Sequence, residues 1–140
     1  MNPILFDSSV YITALRSRQE GPGTLRRLDP AVPVWLSSVV LEELYAGAGS
    51  KDRVAVERLE RDFDKARRIL VPSLADWAQT GKVLARLAAK HGYEQIGRGR
   101  LTNDALIATS ASRAGISVMT ANARDFAKLA EFTSLIWSVL

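Results

Sequence analysis

PVWLSSVVLEELYAG, Pro33 to Gly47, joins two patterns with no spacer between them. Val34-Trp35-Leu36 is a short, continuous apolar run behind a proline, as in a strand covered on both faces. Ser37-Ser38 marks a helix start, and Gly47 with Gly49 marks its end. A strand that feeds directly into a helix is half of a βαβ unit. The same alternation recurs along the chain. Pro3-Ile4-Leu5-Phe6 reads as a strand before a helix over Val10 to Leu15. Ile69-Leu70-Val71 reads as a third strand stopped by Pro72, and Ser73 then caps a helix through Trp77, Val83, Leu84 and Leu87. Leu101 to Ala114 is a helix ended by Gly115, and Ile116 to Thr120 is a fourth strand. A short helix from Asp125 to Ala130 and a fifth strand over Phe132 to Trp137 complete the pattern. The expectation is an α/β fold, a mostly parallel sheet of about five strands flanked by helices. All of it falls in one domain over residues 1–140. Sites in such sheets form at the carboxyl ends of the strands.

Lys51 to Arg68 interrupts the alternation with a long charged helix whose apolar positions are Val54, Val56, Leu59 and Phe63. Gly21 to Asp29 reads as a Gly/Pro loop leading into a short helix, and His91 to Arg100 as a Gly-punctuated basic loop. Repeats, low-complexity tracts and linkers are absent.

Composition narrows the chemistry. The 140 residues are 47% hydrophobic and 24% charged, a globular balance. There is no cysteine, which excludes disulfides, thiolate metal sites and a cysteine nucleophile, and fits a reducing cytoplasmic setting. A single histidine, His91, argues against histidine-rich metal sites. No apolar run reaches the roughly 18–20 residues of a membrane span. MNPILFDSS lacks the basic flank of a signal peptide. The formal charge of +4 biases the chain toward acidic partners such as nucleic acid.

Most acidic residues lie among Lys and Arg on the charged helix, a solvated face. The exceptions are informative. Asp7 ends the first strand, where it either serves a site or caps the next helix, a task open also to Ser8 and Ser9. In VVLEELYAG each residue advances roughly 100° around the helix. Glu42 then falls almost opposite the apolar side formed by Val39, Val40, Leu41, Leu44 and Tyr45. Glu43 projects between Val39 and Val40, at the edge of the buried stripe. A carboxylate there must pair, snorkel or shift its pKa. Asp104 shares a face with Ile107, Ala108 and Ala111, in a first helical turn that Thr102 or Asn103 could cap. Asn122 and Asp125 follow the fourth strand, where Thr120 and Asn122 also suit a turn. Asp7, Glu43, Asp104 and the Asn122/Asp125 region thus supply oxygen groups from separate segments to one sheet edge. Clustered carboxylates need a counter-charge, and a hard divalent cation, Mg²⁺ or Mn²⁺, is the natural one. Such a site serves phosphoryl chemistry.

The ordered set FDSSVYI, SSVVLEELYAG, LTNDALIATSA and MTANARDF resembles the PIN-domain ribonucleases, and more narrowly the VapC toxins of toxin–antitoxin pairs. The resemblance runs from Phe6 to Phe126 and implies the PIN-like three-layer fold. It implies metal-dependent endonucleolytic hydrolysis of RNA phosphodiester bonds, with tRNA or rRNA-like substrates. Asp7, Glu43 and Asp104 correspond to the metal-holding acids, and Asn122 and Asp125 to the fourth catalytic position. Asn122 is neutral and would contact water or substrate rather than the ion. Ser8, Ser9 and Thr120 become supporting or substrate-contacting groups. Arg98 and Arg100, just before the Asp104 helix, would hold RNA phosphates or an acidic antitoxin segment, or simply decorate a surface loop. A small cognate antitoxin and a homodimer are the implied partners. Trp35, Trp77 and Trp137 are expected in the core. The competing reading is a catalytically silent PIN-like module that binds RNA or protein. A phosphatase of the Mg²⁺-carboxylate kind is disfavoured because no D-x-D follows the first strand.

Overall fold

The computed structural model describes residues 2–17, 31–92 and 101–140. Arg18, the Gly21 to Asp29 segment with Arg26 and Arg27, and residues 93–100 of the basic loop, with Arg98 and Arg100, lie outside the described residues, while His91 ends a helix.

The strands are β1 (Ile4–Phe6), β2 (Val34–Ser37), β3 (Ile69–Leu70), β4 (Ser117–Thr120) and β5 (Trp137–Val139). The described helices are α1 (Ser8–Ser17), α2 (Ser38–Gly47), α3 (Ser50–Lys65), α4 (Leu74–His91), α5 (Thr102–Ala114) and α6 (Ala123–Ala130). All five strands are parallel, in the order β3-β2-β1-β4-β5. Leu5 is in register with Trp35 on one side and Val118 on the other. The chain builds outward from β1 through β2 to β3, then returns to the other side of β1 for β4 and β5. That reversal puts a topological switch point between the carboxyl ends of β1 and β4. Right-handed crossovers in two directions place helices on both faces. Leu5 and Phe6, neighbours in sequence, are therefore both buried, as a strand covered on two sides requires. Leu36, Val40, Val83, Leu87, Ile107, Val118, Phe126 and Leu129 complete the centre of the core.

Local signals act as their chemistry dictates. The Ser37 hydroxyl accepts from Val39 N at 3.2 Å and starts α2. Ser73 and Asp76 form a reciprocal capping box at α4. Gly115 ends α5 in the left-handed region, φ 71°, which a side chain would disfavour.

Several expectations shift. α1 begins at Ser8, immediately after Asp7, rather than near Val10. β5 lies at Trp137–Val139, not over Phe132 to Trp137. Phe132 N and the Thr133 hydroxyl both donate to Leu129 O, so this segment wraps the end of α6 before pairing begins. Trp77 is 55% exposed rather than in the core. The inward phase of α4 belongs instead to Asp76, Thr80, Val83 and Leu87. Trp35 and Trp137 pack, partly buried, against the core, and Val54 on α3 is exposed. Among the described residues no helix is long and apolar enough to cross a membrane.

A buried polar contact joins α4 to α5. Asp76 is almost wholly covered, and Arg113 Nε donates to both its oxygens at 2.8 and 2.9 Å. Thr80 and Thr109 share a hydrogen bond of 2.7 Å one turn further in. Burial opposes ionisation of Asp76, yet hydrogen bonds from Arg113 and Ser73 hold its carboxyl below the usual range. A depressed carboxyl pKa stabilises the fold above the unfolded value of 3.8, and that contribution is lost as pH falls through the folded value. Arg113→Ala leaves a buried carboxylate short of its donor and should cost about 2 kcal/mol at neutral pH. Urea denaturation of both proteins checks this, and the difference should shrink as Asp76 becomes protonated at low pH.

Candidate active site

Asp7 is fixed by the β1–β4 pairing. Its backbone N donates to Met119 O at 3.1 Å, extending the ladder one residue past β1. This sets the side chain at the switch point, where it is buried. Oδ1 accepts from the Ser9 hydroxyl, and Oδ2 accepts from Thr120 Oγ1 at 2.7 Å. Both hydroxyls are fixed in turn by the β4–α6 turn. Ser9 Oγ accepts from Ala121 N at 3.1 Å, and Thr120 Oγ1 accepts from Asn122 N at 2.8 Å. Asp7 thus has both oxygens oriented by hydroxyls whose own positions are set by backbone amides.

The helical phase of α2 separates its two glutamates. Glu42 is exposed and Glu43 is partly covered. Glu43 Oε1 is fully buried and has no hydrogen-bond partner. Burial raises the Glu43 pKa, the negative charges of Glu42 and Asp7 add to the rise, and hydrogen bonding from Ser8 and Asn103 offsets part of it.

Asp104 enters from the first turn of α5. Neither Thr102 nor Asn103 caps this helix: Leu101 occupies the N-cap position, without a side-chain cap. Burial, then the charges of Asp7, Glu43 and Asp125, push the Asp104 pKa up to about 7. Asp125 stands in the first turn of α6, where Asn122 Nδ2 donates to its Oδ2 at 3.0 Å. Asn122 thus orients Asp125. Sequence patterning gave Asn103 only a capping role, yet it donates weakly to Glu42 Oε2 at 3.4 Å and bears on Glu43 as well. Its place beside Asp104 in the same helical turn was the available signal.

Asp104 feels the charges of Asp7, Glu43 and Asp125, and Glu43 feels that of Asp7, at one sheet edge. Among the described residues no three acidic or histidine groups are close enough to enclose a metal ion. The donor set nevertheless suits a hard divalent cation: oxygen ligands only, one orphaned buried carboxylate oxygen, and one carboxyl whose pKa is raised to about 7 by burial and then by its acidic neighbours.

The sequence matches the PIN domain family over residues 4–132. The chain is a member of the PIN domain family. No curated protein sequence matches it significantly. Among solved structures, the DNA-bound VapBC complex of Salmonella typhimurium contains a chain of 22% identity and TM-score 0.70, with 99% of this chain and 98% of that one covered. VapBC-5 of Mycobacterium tuberculosis, from a family of toxin–antitoxin systems, aligns at 24% identity and TM-score 0.60, with both chains fully covered. VapBC2 of Rickettsia felis, bound to a promoter DNA fragment, aligns at 22% identity and TM-score 0.63, with 98% of each chain covered. At these identities the likeness is one of fold. It spans the whole PIN domain, including all four carboxylate-bearing segments.

Two measurements probe the site. Folded Asp104 keeps its proton up to about pH 7, whereas the unfolded chain releases it near 3.8. Its stabilising contribution is complete below 3.8 and is lost as pH rises through about 7. The displacement corresponds to roughly 4 kcal/mol. Without divalent ions, wild type should lose stability between pH 4 and 8 relative to Asp104→Asn, and Mg²⁺ should restore wild type only. Parallel melting curves for the two proteins would remove this assignment. Separately, Thr120→Val removes one donor to Asp7 and leaves Asn122 N without its acceptor. It should cost about 1–3 kcal/mol in a thermal or urea melt.

Proposed function

We propose that this PIN domain is a divalent-metal-dependent endoribonuclease, the toxin of a VapBC-like toxin–antitoxin pair, with residues 1–140 acting as one catalytic unit. The observation that carries the reading is Asp104. It is held near neutrality by burial and by Asp7, Glu43 and Asp125, beside an orphaned Glu43 oxygen. Such a cluster is costly unless a cation joins it.

Asp7, Glu43 and Asp104 would hold the ion, Mg²⁺ or Mn²⁺, which supplies Lewis-acid stabilisation of charge on a phosphodiester. The protein's own groups do the rest. Ser9 and Thr120 fix the orientation of Asp7. Asn122 orients Asp125, and the carboxylates would accept the proton of the attacking water. Arg98 and Arg100 remain the proposed phosphate contacts, with tRNA or rRNA-like molecules as substrates. The likeness to VapBC complexes supports a small antitoxin as partner, in a cytoplasmic setting, and a homodimer is the proposed assembly. One observation favours a silent binding module instead: the position after β4 is the neutral Asn122, and its amide is already committed to Asp125.

Cleavage of structured RNA by purified protein, with Mn²⁺ or with EDTA, decides between these readings. Wild type should cut only with metal, and Asp104→Asn should lose at least about 100-fold in rate. Equal cleavage by wild type and variant would end the nuclease reading. RNA binding that is metal-independent and without cleavage would support the silent module. The same assay separates the paired glutamates: Glu42→Ala should retain activity and Glu43→Ala should lose it. The reverse result would refute the assignment of Glu43.

A further inference from the structure

A second concave surface lies apart from the carboxylate centre. It is a groove of about 700 Å³ between α4, the end of α5 and the segment after α6, with Gln79, Arg86, Ser112, Arg113, Glu131 and Ser134 in its walls. That volume suits a small organic ligand better than a bare inorganic ion. Arg113 follows Asp104 on α5 by about 14 Å along the axis and about half a turn around it. The groove is therefore separate from the site of Asp7, Glu43 and Asp104.

The acids of the groove are already occupied. Both oxygens of Asp76 accept from Arg113 Nε at 2.8 and 2.9 Å. Glu131 Oε2 accepts from Lys90 Nζ at 2.7 Å, with His91 Nε2 at 3.4 Å. Cations and donors are left over. Arg113 meets Asp76 through Nε, and its side chain, still 46% exposed, also lines the groove. Arg86 is exposed, as is Lys82 one turn before it on the same flank of α4. Neither forms an ion pair among the described residues. The Ser112 and Ser134 hydroxyls share one hydrogen bond of 2.8 Å, which leaves one hydroxyl hydrogen to donate elsewhere.

Chemistry identifies the occupant. Each carboxylate has its own cation, so Arg86 and Lys82 are the excess charge, and an anion is the ligand that answers them. Phe132 adds a half-buried aromatic wall, with Lys90 Nζ 5.9 Å from its ring centre. Guanidinium, hydroxyl and aromatic ring in one cleft suit a nucleotide. Its phosphate oxygens accept from the first two, and its base packs against the third. An acidic peptide would answer the cations alone and leave the ring unused.

We infer that this groove binds a nucleotide unit, its phosphate on Arg86 and Arg113 and its base against Phe132. The unit belongs either to a single-stranded RNA or to a free nucleotide, which present the same phosphate and base. In its RNA form the inference rests on the nuclease reading above, and it adds a contact to the substrate away from the cut.

Fluorescence anisotropy tests it, with a labelled single-stranded RNA of about ten nucleotides and EDTA to keep metal from the carboxylates. Wild type should bind. Arg86→Glu should raise the dissociation constant at least about tenfold and flatten the dependence on salt, with the melting temperature unchanged. Because the chain has no cysteine, a fluorophore on Ser134→Cys gives a local readout. It should respond to RNA, and one on Val54→Cys, exposed on α3, should not. Adenosine monophosphate that displaces the RNA at micromolar concentration assigns the groove to free nucleotides. Binding that resists it at millimolar concentration assigns the groove to an RNA chain. Three results overturn the inference: unchanged binding by Arg86→Glu, a silent label at Ser134, or displacement by polyglutamate as readily as by unlabelled RNA. Groove binding without cleavage removes the nuclease reading alone, and cleavage without groove binding removes this inference alone.

Discussion

Asp7 holds together the edge of the sheet where the chain reverses direction. Its backbone extends the β1–β4 ladder, and its two carboxylate oxygens take hydroxyls from Ser9 on α1 and Thr120 on β4. Those hydroxyls in turn accept amides from the β4–α6 turn. Two connections that leave the sheet in opposite directions are thereby tied to one buried charge. Asn122 and Asp125 are placed by this tie, because the turn that carries them is anchored on Thr120. The Asp7 charge adds to the burial that opposes ionisation of Asp104 and Glu43.

That cost is visible one helix away. Asp104 reaches the same edge from α5, and its position depends on how α5 is held. At the far end of that helix, Arg113 grips Asp76, and Thr109 meets Thr80. The helix is thus fixed at one end by a satisfied ion pair, while at the other it presents an acid whose ionisation is opposed by burial and by neighbouring carboxylates. The first contact stabilises the fold and the second strains it. Such a division is expected where a fold gives up stability for a site. The orphaned oxygen of Glu43 belongs to the same expense.

The α4 helix shows how one element can serve three surfaces. Its inward side packs with the core, its capping end anchors α5, and its remaining side presents Leu74, Trp77 and Gly81 to solvent. Trp77 was expected in the core because apolar spacing cannot say which of two apolar sides of a helix faces inward. The inward side proved to be the more polar one, since Asp76 and Thr80 find partners there in Arg113 and Thr109. Partners that are 29 and 37 residues distant leave no trace in local spacing.

The sequence by itself determined the strand–helix alternation, the parallel sheet and the caps at Ser37, Ser73 and Gly115, because these follow from short-range sterics and hydrogen bonding. It also separated Glu42 from Glu43, since helical phase is a local property. The start of α1, the span of β5 and the cap of α5 were decided by pairing and by packing. Only the tertiary structure brought Asp7, Glu43 and Asp125 within reach of Asp104. It alone assigned Ser9 and Thr120 to Asp7, and Asn122 to Asp125. The physical reason is that a pKa, an orphaned oxygen and an exposed stripe are properties of surroundings. Those surroundings are assembled from segments up to 113 residues apart, as Asp7 and Thr120 are.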